Sequence, residues 1–288
     1  MLNIGIVGAE NSHTAAIAKV LNVEKKVRGV RVTHVWGETA QYAQAAATAG
    51  QIPHIVRTPE ELIGQVDGAV VDHRHGKEHL PAARPLLEAK IPLFIDKPFC
   101  YRQAEGKRFL ARAAELGVPV CSFSTLPKQA SYRAFAKKMR QLGPIQAVVS
   151  TGSCDIKSKW GGVFFYGIHQ VDMVLRLLGT DIRWVEVHRG AGANHTATLT
   201  YRDGCVATLN LVGGATAGFH LSAIGEKGRM DEPITFDESS YLSGIRDFCT
   251  MFRTGKTDET AQTMLGPVAV LEALEKSLVK KGRVRVQL

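Results

Sequence analysis

Over its first 123 residues the chain alternates short apolar runs with segments of helical periodicity, and this alternation constrains the fold more than any other feature. The apolar runs are continuous, as expected for strands covered by helices on both faces of a parallel sheet. We predict strands at 3–7, 30–35, 68–71, 92–95 and 118–122, with helices at 13–21, 40–49, 78–89 and 103–116. Such a succession predicts an α/β domain with a doubly wound parallel sheet.

The pattern changes after residue 123, where strands follow one another and helices stand apart. We predict strands at 145–150, 197–201, 206–211, 219–224 and 283–287, with helices at 128–141, 163–178, 241–253 and 264–280. This order predicts a second, α+β domain with an open, mainly antiparallel sheet. The expected domains are 1–123 and 124–288. They are expected to meet near 122–127 with a ligand crevice between them.

Composition narrows the class of protein. The 288 residues are 45% hydrophobic, which is enough for two cores. The five cysteines are widely spaced, which argues against a disulfide framework or a zinc ribbon and for a reducing compartment. No leader pattern or bilayer-length apolar run is visible, so we expect a cytoplasmic protein without a membrane partner. The net charge of +9 comes from dispersed lysines and arginines, so no nucleic-acid partner is expected.

The turn after the first predicted strand is a candidate pyrophosphate loop, in a domain of the Rossmann kind. Gly8 holds the first position of G-x-G-x-x-G, whereas Glu10 and His13 occupy the other two glycine positions. We predict cofactor contacts from Gly8, Asn11, Ser12 and His13, and repulsion between Glu10 and phosphate. The alternative is a strand–helix turn that binds no nucleotide.

Glu38 follows the second predicted strand, where an acidic residue of a dinucleotide-binding domain holds the adenosine ribose. The alternative is an acid favoured by the helix dipole in a first turn. No arginine follows directly to hold a 2′-phosphate, so NAD is slightly favoured over NADP.

The segment Asp72-His73-Arg74-His75-Gly76-Lys77-Glu78-His79 follows the strand at 68–71. Its three histidines suggest a metal, but no other segment offers matching ligands, so no metal is expected. Ligands bind at the carboxyl ends of parallel strands, and we therefore include His75 among the cofactor contacts. The alternative is a solvated loop.

Two further segments carry candidate catalytic residues. Lys97 follows the strand at 92–95 and is fixed by a proline, so it is expected to face the ligand crevice; the alternative is a surface lysine in a turn. Tyr166, His169 and Asp172 share one face of the helix at 163–178, like the wall of a pocket. The alternative for this histidine is a satisfied core residue.

Together these segments resemble the Gfo/Idh/MocA family, of the glucose–fructose oxidoreductase and inositol dehydrogenase type. Asp96-Lys97-Pro98 is similar to the E-K-P of that family, and Gly167-Ile168-His169-Gln170-Val171-Asp172 to its G-x-H-x-x-D helix. The resemblance implies a dehydrogenase that uses NAD or NADP to oxidise or reduce a hydroxyl or carbonyl of a sugar- or cyclitol-like molecule. It implies that Lys97 polarises the substrate oxygen, that His169 transfers its proton, and that the open sheet face forms a homo-oligomer.

Three departures from the family pattern leave alternatives open. Glu10 replaces a glycine, Phe165 stands where the family often has an aspartate as general base, and Arg74-His75-Gly76 replaces its T-P-N loop. Without that aspartate, His169 and Tyr166 remain as acid/base candidates, and the imidazole is favoured because it titrates near neutrality. Asp172 is expected to orient that ring. The alternatives are a non-catalytic nucleotide- or sugar-binding relative and an NAD-using hydrolase or lyase.

Overall fold

The computed structural model describes residues 1–287, which divide into two compact units. The first consists of Met1–Phe123 together with Tyr241–Met264, and the second of Ser124–Ser240 together with the chain from Leu265 onward. The change of unit after Phe123 lies where the sequence pattern changes. Assigning dinucleotide binding to one unit and substrate binding to the other stays a prediction.

The first unit contains a six-stranded parallel sheet in the order β3-β2-β1-β4-β5-β6. This is the strand order of a dinucleotide-binding Rossmann fold, with its topological switch point between β1 and β4. Its strands are β1 (Leu2–Val7), β2 (Val30–Trp36), β3 (His54–Ile55), β4 (Gly68–Val71), β5 (Leu93–Ile95) and β6 (Val120–Cys121), and the helices among them are α1 (Ser12–Ala18), α2 (Ala40–Gly50), α3 (His79–Glu88) and α4 (Gln103–Leu116). The predicted Rossmann domain is confirmed.

The second unit contains a seven-stranded mixed sheet in the order β12-β11-β7-β10-β9-β8-β13. Only β7 and β10 pair in parallel within the residues described, so the sheet is mainly antiparallel, as predicted. Its strands are β7 (Ile145–Ser153), β8 (Ile182–Arg189), β9 (Asn194–Tyr201), β10 (Val206–Val212), β11 (Phe219–Gly225), β12 (Gly228–Ile234) and β13 (Val284–Arg285), and its helices are α5 (Ala130–Met139) and α6 (Val163–Leu178).

Two further helices come from the C-terminal part of the chain, α7 (Leu242–Thr254) and α8 (Ala261–Lys280). α7 belongs to the first unit, which corrects the prediction that 124–288 forms one continuous domain. The physical reason is an apolar face of α7 that packs into the Rossmann core through Ile245, Phe248 and Phe252. Phe248 stacks on Phe94 of β5 with ring centroids 4.8 Å apart.

Three strands of the structure were not predicted from the sequence. β3 has only two residues, and both are exposed. β8 alternates buried apolar residues with charged ones such as Glu186, and β12 carries three charged residues and Pro233. None of them shows the continuous apolar run on which the strand prediction depended.

The helices described for residues 1–287 include none with the length and apolarity required to cross a membrane.

Candidate active site

Gly8 lies where the end of β1 passes very close to the end of β4. Its φ of +107° falls in the region that favours glycine, and a Cβ there would lie 2.8 Å from the carbonyl carbon of Asp72. The retained glycine therefore allows the two backbones to approach. Asn11 then caps α1, because its Oδ1 accepts the His13 N–H at 3.4 Å. Ser12, in the first turn of the helix, is exposed.

Glu38 lies just after the end of β2 and binds the loop that follows β1. Its Oε2 accepts the backbone N–H groups of Ala9 at 2.8 Å and Glu10 at 2.9 Å. Its Oε1 is buried and has no hydrogen-bond partner among the residues described. A buried carboxylate oxygen without a donor is costly, so Glu38 presents an acceptor suited to a ligand hydroxyl.

Two buried aspartates, Asp72 after β4 and Asp96 after β5, meet beside α1. Asn11 Nδ2 donates to Asp72 Oδ1 at 3.0 Å and to Asp96 Oδ2 at 3.2 Å. The hydroxyl of Thr14 lies 2.5 Å from the carbonyl oxygen of Gly8 and 2.6 Å from Asp72 Oδ2. A hydroxyl has one proton for these two acceptors, so both contacts are satisfied when Asp72 is protonated and donates to the Thr14 oxygen.

The charges around this aspartate pair agree with that assignment. Burial and the neighbouring Asp96 carboxylate raise the pKa of Asp72 well above its usual range. Burial would also raise the pKa of Asp96, but Lys97 and His13 outweigh it and hold that pKa below its usual range. Lys97 Nζ lies 3.7 Å and His13 Nδ1 3.1 Å from Asp96 Oδ2. We infer that the pair holds one proton, carried by Asp72, and that Asp96 is a charged carboxylate beside Lys97.

His13, Asp72 and Asp96 also have the ligand types of a metal site, with one ligand atom from each within 4.8 Å of the others. Asn11 Nδ2 already donates to both carboxylates, and the Lys97 ammonium neutralises Asp96. The arrangement is therefore that of a hydrogen-bonded carboxyl pair. That no metal binds in this chain stays a prediction.

The three histidines after β4 have different surroundings. His73 is buried and its Nδ1 has no partner among the described residues; burial and neighbouring His79 lower the pKa of His73 to about 4. His75 caps the turn that follows it, accepting the Lys77 N–H at 3.2 Å, and its ring contacts Tyr101. His79 is fully buried, with one ring nitrogen 2.8 Å from the carbonyl of His73 and the other 2.8 Å from that of Pro98. These contacts fix His75 and His79 in the local structure, and the cofactor contact predicted for His75 stays a prediction.

In the second unit, α6 carries His169 and Asp172, both buried. His169 Nδ1 lies 2.7 Å from the hydroxyl oxygen of Ser124. Asp172 accepts the backbone N–H of Ser124 at 3.2 Å and the Nε–H of Arg176 at 2.9 Å. Asp172 therefore fixes the segment that carries the hydroxyl bound to His169.

Tyr166 is 42% exposed and lies one turn before His169, with the two rings 5.6 Å apart. Phe165 is half-buried and contacts the Tyr166 ring edge-on at 4.9 Å. The position of the family's usual aspartate is thus part of an aromatic cluster.

Some site residues were not predicted from the sequence. Ser124 was not proposed, although it lies within three residues of the end of β6, where ligands of such sheets bind; Asp72 and His73 belong to the candidate segment after β4, but only His75 of that segment was chosen as a contact. Of the predicted residues, Gly8, Asn11, Ser12, His13, Glu38, His75 and Lys97 lie in the first unit, and Tyr166, His169 and Asp172 in the second. The roles assigned to them stay predictions.

Comparison with known proteins agrees with this geometry. Residues 2–123 match the GFO_IDH_MocA family model, described as an oxidoreductase family with an NAD-binding Rossmann fold. Comparison with curated proteins gave no significant match.

Several solved structures share the fold over the chain. Scyllo-inositol dehydrogenase from Lactobacillus casei, with bound NAD(H) and scyllo-inositol, has 17% identity and a TM-score of 0.87, covering 99% of each chain. Myo-inositol 2-dehydrogenase from Lactobacillus plantarum has 16% identity and a TM-score of 0.87, again covering 99% of each chain. Myo-inositol dehydrogenase from Lactobacillus casei, with NAD(H) and myo-inositol, has 16% identity and a TM-score of 0.84, covering 100% of this chain and 97% of the other. Residues 2–123 therefore match an oxidoreductase family with an NAD-binding Rossmann fold, and the chain shares the fold of these solved structures over its length.

Proposed function

We propose that the protein is an NAD-dependent dehydrogenase that interconverts a hydroxyl and a carbonyl group on a cyclitol or sugar. The observation that carries the proposal is the buried Oε1 of Glu38, which has no partner among the residues described. Glu38 lies at the end of β2, where a Rossmann domain binds the adenosine ribose, and its other oxygen holds the loop after β1. A ribose hydroxyl would satisfy the remaining oxygen.

A second buried atom supports the same subsite. His73 Nδ1 also lacks a partner among the described residues, and the Glu38 carboxylate is close enough to act on the charge of that ring. Because its low pKa keeps His73 neutral at pH 7, the ring offers a hydrogen-bonding nitrogen without positive charge. The residues present therefore fit the ribose end of a nicotinamide dinucleotide, which supplies or accepts the hydride when bound.

The same geometry favours NAD over NADP. A 2′-phosphate beside Glu38 would bring negative charge against a carboxylate that already holds two N–H groups. Repulsion at contact range costs on the order of 1 kcal/mol or more at intermediate dielectric, and desolvation adds to it.

We assign the substrate chemistry to two side chains. Lys97 lies at the carboxyl end of β5, with its Nζ 3.7 Å from Asp96 Oδ2, and it donates a hydrogen bond to the substrate oxygen. His169 exchanges the hydroxyl proton, and a substrate class of cyclitols or sugars is supported by the inositols bound in two of the structural relatives. Tyr166, exposed beside His169, is the alternative proton acceptor.

Cofactor binding is tested by titrating the protein with NADH and NADPH, followed by nicotinamide fluorescence. We expect saturable NADH binding and NADPH binding weaker by about tenfold, the equivalent of 1.4 kcal/mol. Glu38→Gln should weaken NADH binding and narrow that difference, whereas Glu60→Gln, the same change at an exposed position of this unit, should alter neither. Absence of binding by either cofactor at millimolar concentration would favour the non-catalytic alternative.

Catalysis is tested by NAD reduction with a panel of inositols and simple sugars. Lys97→Ala and His169→Ala should each lower turnover about 100-fold or more, the scale of a lost acid or base. The controls are Lys107→Ala and His188→Gln, which change exposed residues of the two units. If His169→Ala retains the parent rate, the proton acceptor is Tyr166 or another group.

A further inference from the structure

We infer that His13 is a hydroxyl-binding residue of the site: its Nε2 atom accepts a hydrogen bond from a ligand hydroxyl next to the group that Lys97 contacts. The ligand class is a polyol with hydroxyl groups on adjacent carbons, a chemistry shared by cyclitols, sugars and the ribose of a dinucleotide. The inference rests on the proposed function, because it concerns the ligands named there, and it assigns to His13 an atom and a hydrogen-bond direction.

The Asp96 carboxylate fixes which ring nitrogen of His13 carries a proton. Burial would raise the pKa of Asp96, but Lys97 and His13 hold it below the usual range, so the carboxylate is ionised and can only accept hydrogen bonds. His13 Nδ1 lies 3.1 Å from Asp96 Oδ2, and Nδ1 is therefore the donor of this contact. In the neutral imidazole the proton is then on Nδ1, and Nε2 has a lone pair.

The Nε2 atom of His13 is available to a ligand. Nδ1 faces Asp96 and, at 3.8 Å, Asp72, whereas no group among the residues described binds Nε2. The side chain is 17% exposed, so the ring is not closed off from the surface. A nitrogen with a lone pair accepts from a hydroxyl but cannot bind an ionised phosphate oxygen, which also only accepts. This nitrogen therefore selects a hydroxyl group.

Lys97 is held by the same carboxylate oxygen. Its Nζ lies 3.7 Å from Asp96 Oδ2, the atom that His13 also contacts. Asp96 thus brings an ammonium group, which only donates, close to an imidazole nitrogen that accepts. Because a hydroxyl both donates and accepts, two hydroxyls on adjacent carbons can use both groups: one accepts from Lys97 and its neighbour donates to His13.

The surroundings of the ring hold it in this direction. Tyr241 contacts the imidazole with ring centroids 5.1 Å apart. Asn11 donates to Asp72 at 3.0 Å and to Asp96 at 3.2 Å, and so fixes the carboxylate that positions the ring. Asp96 is buried, so water competes little for its contact with Nδ1. Nε2 therefore keeps one direction in the free protein.

The hydrogen-bond direction is tested by ¹⁵N NMR of the histidine side chains in the full-length protein, with the His13 signals assigned from their loss in His13→Asn. At high pH we expect Nδ1 to carry the proton and Nε2 to be the unprotonated nitrogen. Adding NADH, or myo-inositol in the presence of NADH, should shift the Nε2 resonance, while the signals of the exposed His54 stay unchanged. A proton on Nε2 in the free protein at high pH would overturn the inference.

Binding measurements distinguish the two sources of the hydroxyl. An asparagine at this position can still donate to Asp96 but is too short to place an atom where Nε2 lies, whereas a glutamine reaches that place. His13→Asn should therefore weaken binding of the ligand that carries the hydroxyl by about fivefold, the scale of one net hydrogen bond, and His13→Gln should recover part of the loss. His54→Asn, the same change at an exposed histidine of this unit, should have no effect.

Each result of these measurements has a defined meaning. A higher KM for inositols with unchanged NADH affinity assigns the hydroxyl to the substrate, and weaker NADH binding with unchanged KM assigns it to the ribose. Unchanged KM and unchanged NADH affinity in a folded His13→Asn protein would overturn the inference. If the wild type binds neither NADH nor an inositol while His13 has the expected tautomer, the proposed function fails and the acceptor at Nε2 stands.

Discussion

His13 Nδ1 lies 3.1 Å from Asp96 Oδ2, so the residue at the third glycine position of the nucleotide loop is a partner of the carboxylate that precedes Lys97. Asp72, which directly follows β4, contacts the same group of side chains through Asn11. His13, at a glycine position of the nucleotide loop, and Asp96, which stands for the Glu of E-K-P, thus meet in one buried network. We interpret them as mutually dependent substitutions that preserve a charged carboxylate beside Lys97.

This network predicts that replacing each of its two aspartates by asparagine lowers the free energy of unfolding by a different amount. Asp72→Asn replaces a carboxyl group that is already neutral, so the free energy of unfolding should change by about 1 kcal/mol or less. Asp96→Asn removes the charged partner of Lys97 and should cost about 3–5 kcal/mol, as when one member of a buried ion pair is deleted. Urea unfolding of both variants at pH 7 measures the difference. Equal losses, or a larger loss for Asp72→Asn, would contradict the assignment of the proton to Asp72.

His73 predicts a dependence of stability on pH. Its pKa is about 4 in the folded protein, against an ordinary value near ~6.5, so the unfolded chain binds more protons between these values. The free energy of unfolding is therefore unaffected by His73 above pH 6.5. It falls as the pH is lowered toward 4, by about 3 kcal/mol in total, because the unfolded chain takes up the proton first. His73→Gln should flatten the unfolding free energy over this range. The exposed His188→Gln should retain the wild-type slope.

The Rossmann architecture could be predicted from the sequence because its strands are continuous apolar runs, and the strand at 68–71 and the helices at 103–116 and 163–178 have the predicted bounds. That α7 belongs to the first unit could not be predicted. An amphipathic helix shows only that it has an apolar face, and the partner of that face is decided by packing between residues far apart in sequence, such as Phe248 and Phe94.

Lys97 and His169 were found from short motifs, since a lysine before proline and a histidine one turn from an aspartate are local patterns. Ser124 and Asp72 carry no such pattern. Their importance comes from contacts over separations of 45 and 61 residues, with His169 and Asn11 respectively. A single serine after a strand gives no sign of the ring that it will bind.

Glu10 predicts an effect on cofactor affinity. It stands at the second glycine position, is half-buried, and its Oε1 lies 3.4 Å from the hydroxyl of Tyr42. Removing its charge in Glu10→Gln should tighten NADH binding by about fivefold, since a like-charge contact with the pyrophosphate costs on the order of 1 kcal/mol. Fluorescence titration measures the change, with Glu105→Gln on α4 as the control. Weaker binding would show that Glu10 itself contacts the cofactor.

The packing of α7 predicts that the first unit depends on a segment far along the chain. Phe248 is 1% exposed, and its ring stacks on Phe94 with centroids 4.8 Å apart and contacts the tilted ring of Phe252 at 5.5 Å. Phe248→Ala leaves a cavity in the Rossmann core and should lower the free energy of unfolding by about 3–5 kcal/mol. Because that core supports the strands that precede Glu38 and Lys97, NADH binding should also be lost at a lower temperature than in the wild type.

The control is Phe236→Ala. This residue is 57% exposed, so the substitution should change the free energy of unfolding by about 0.5 kcal/mol or less. Thermal unfolding with and without NADH compares the two variants, and an equally small effect of Phe248→Ala would show that α7 contributes little to the first unit.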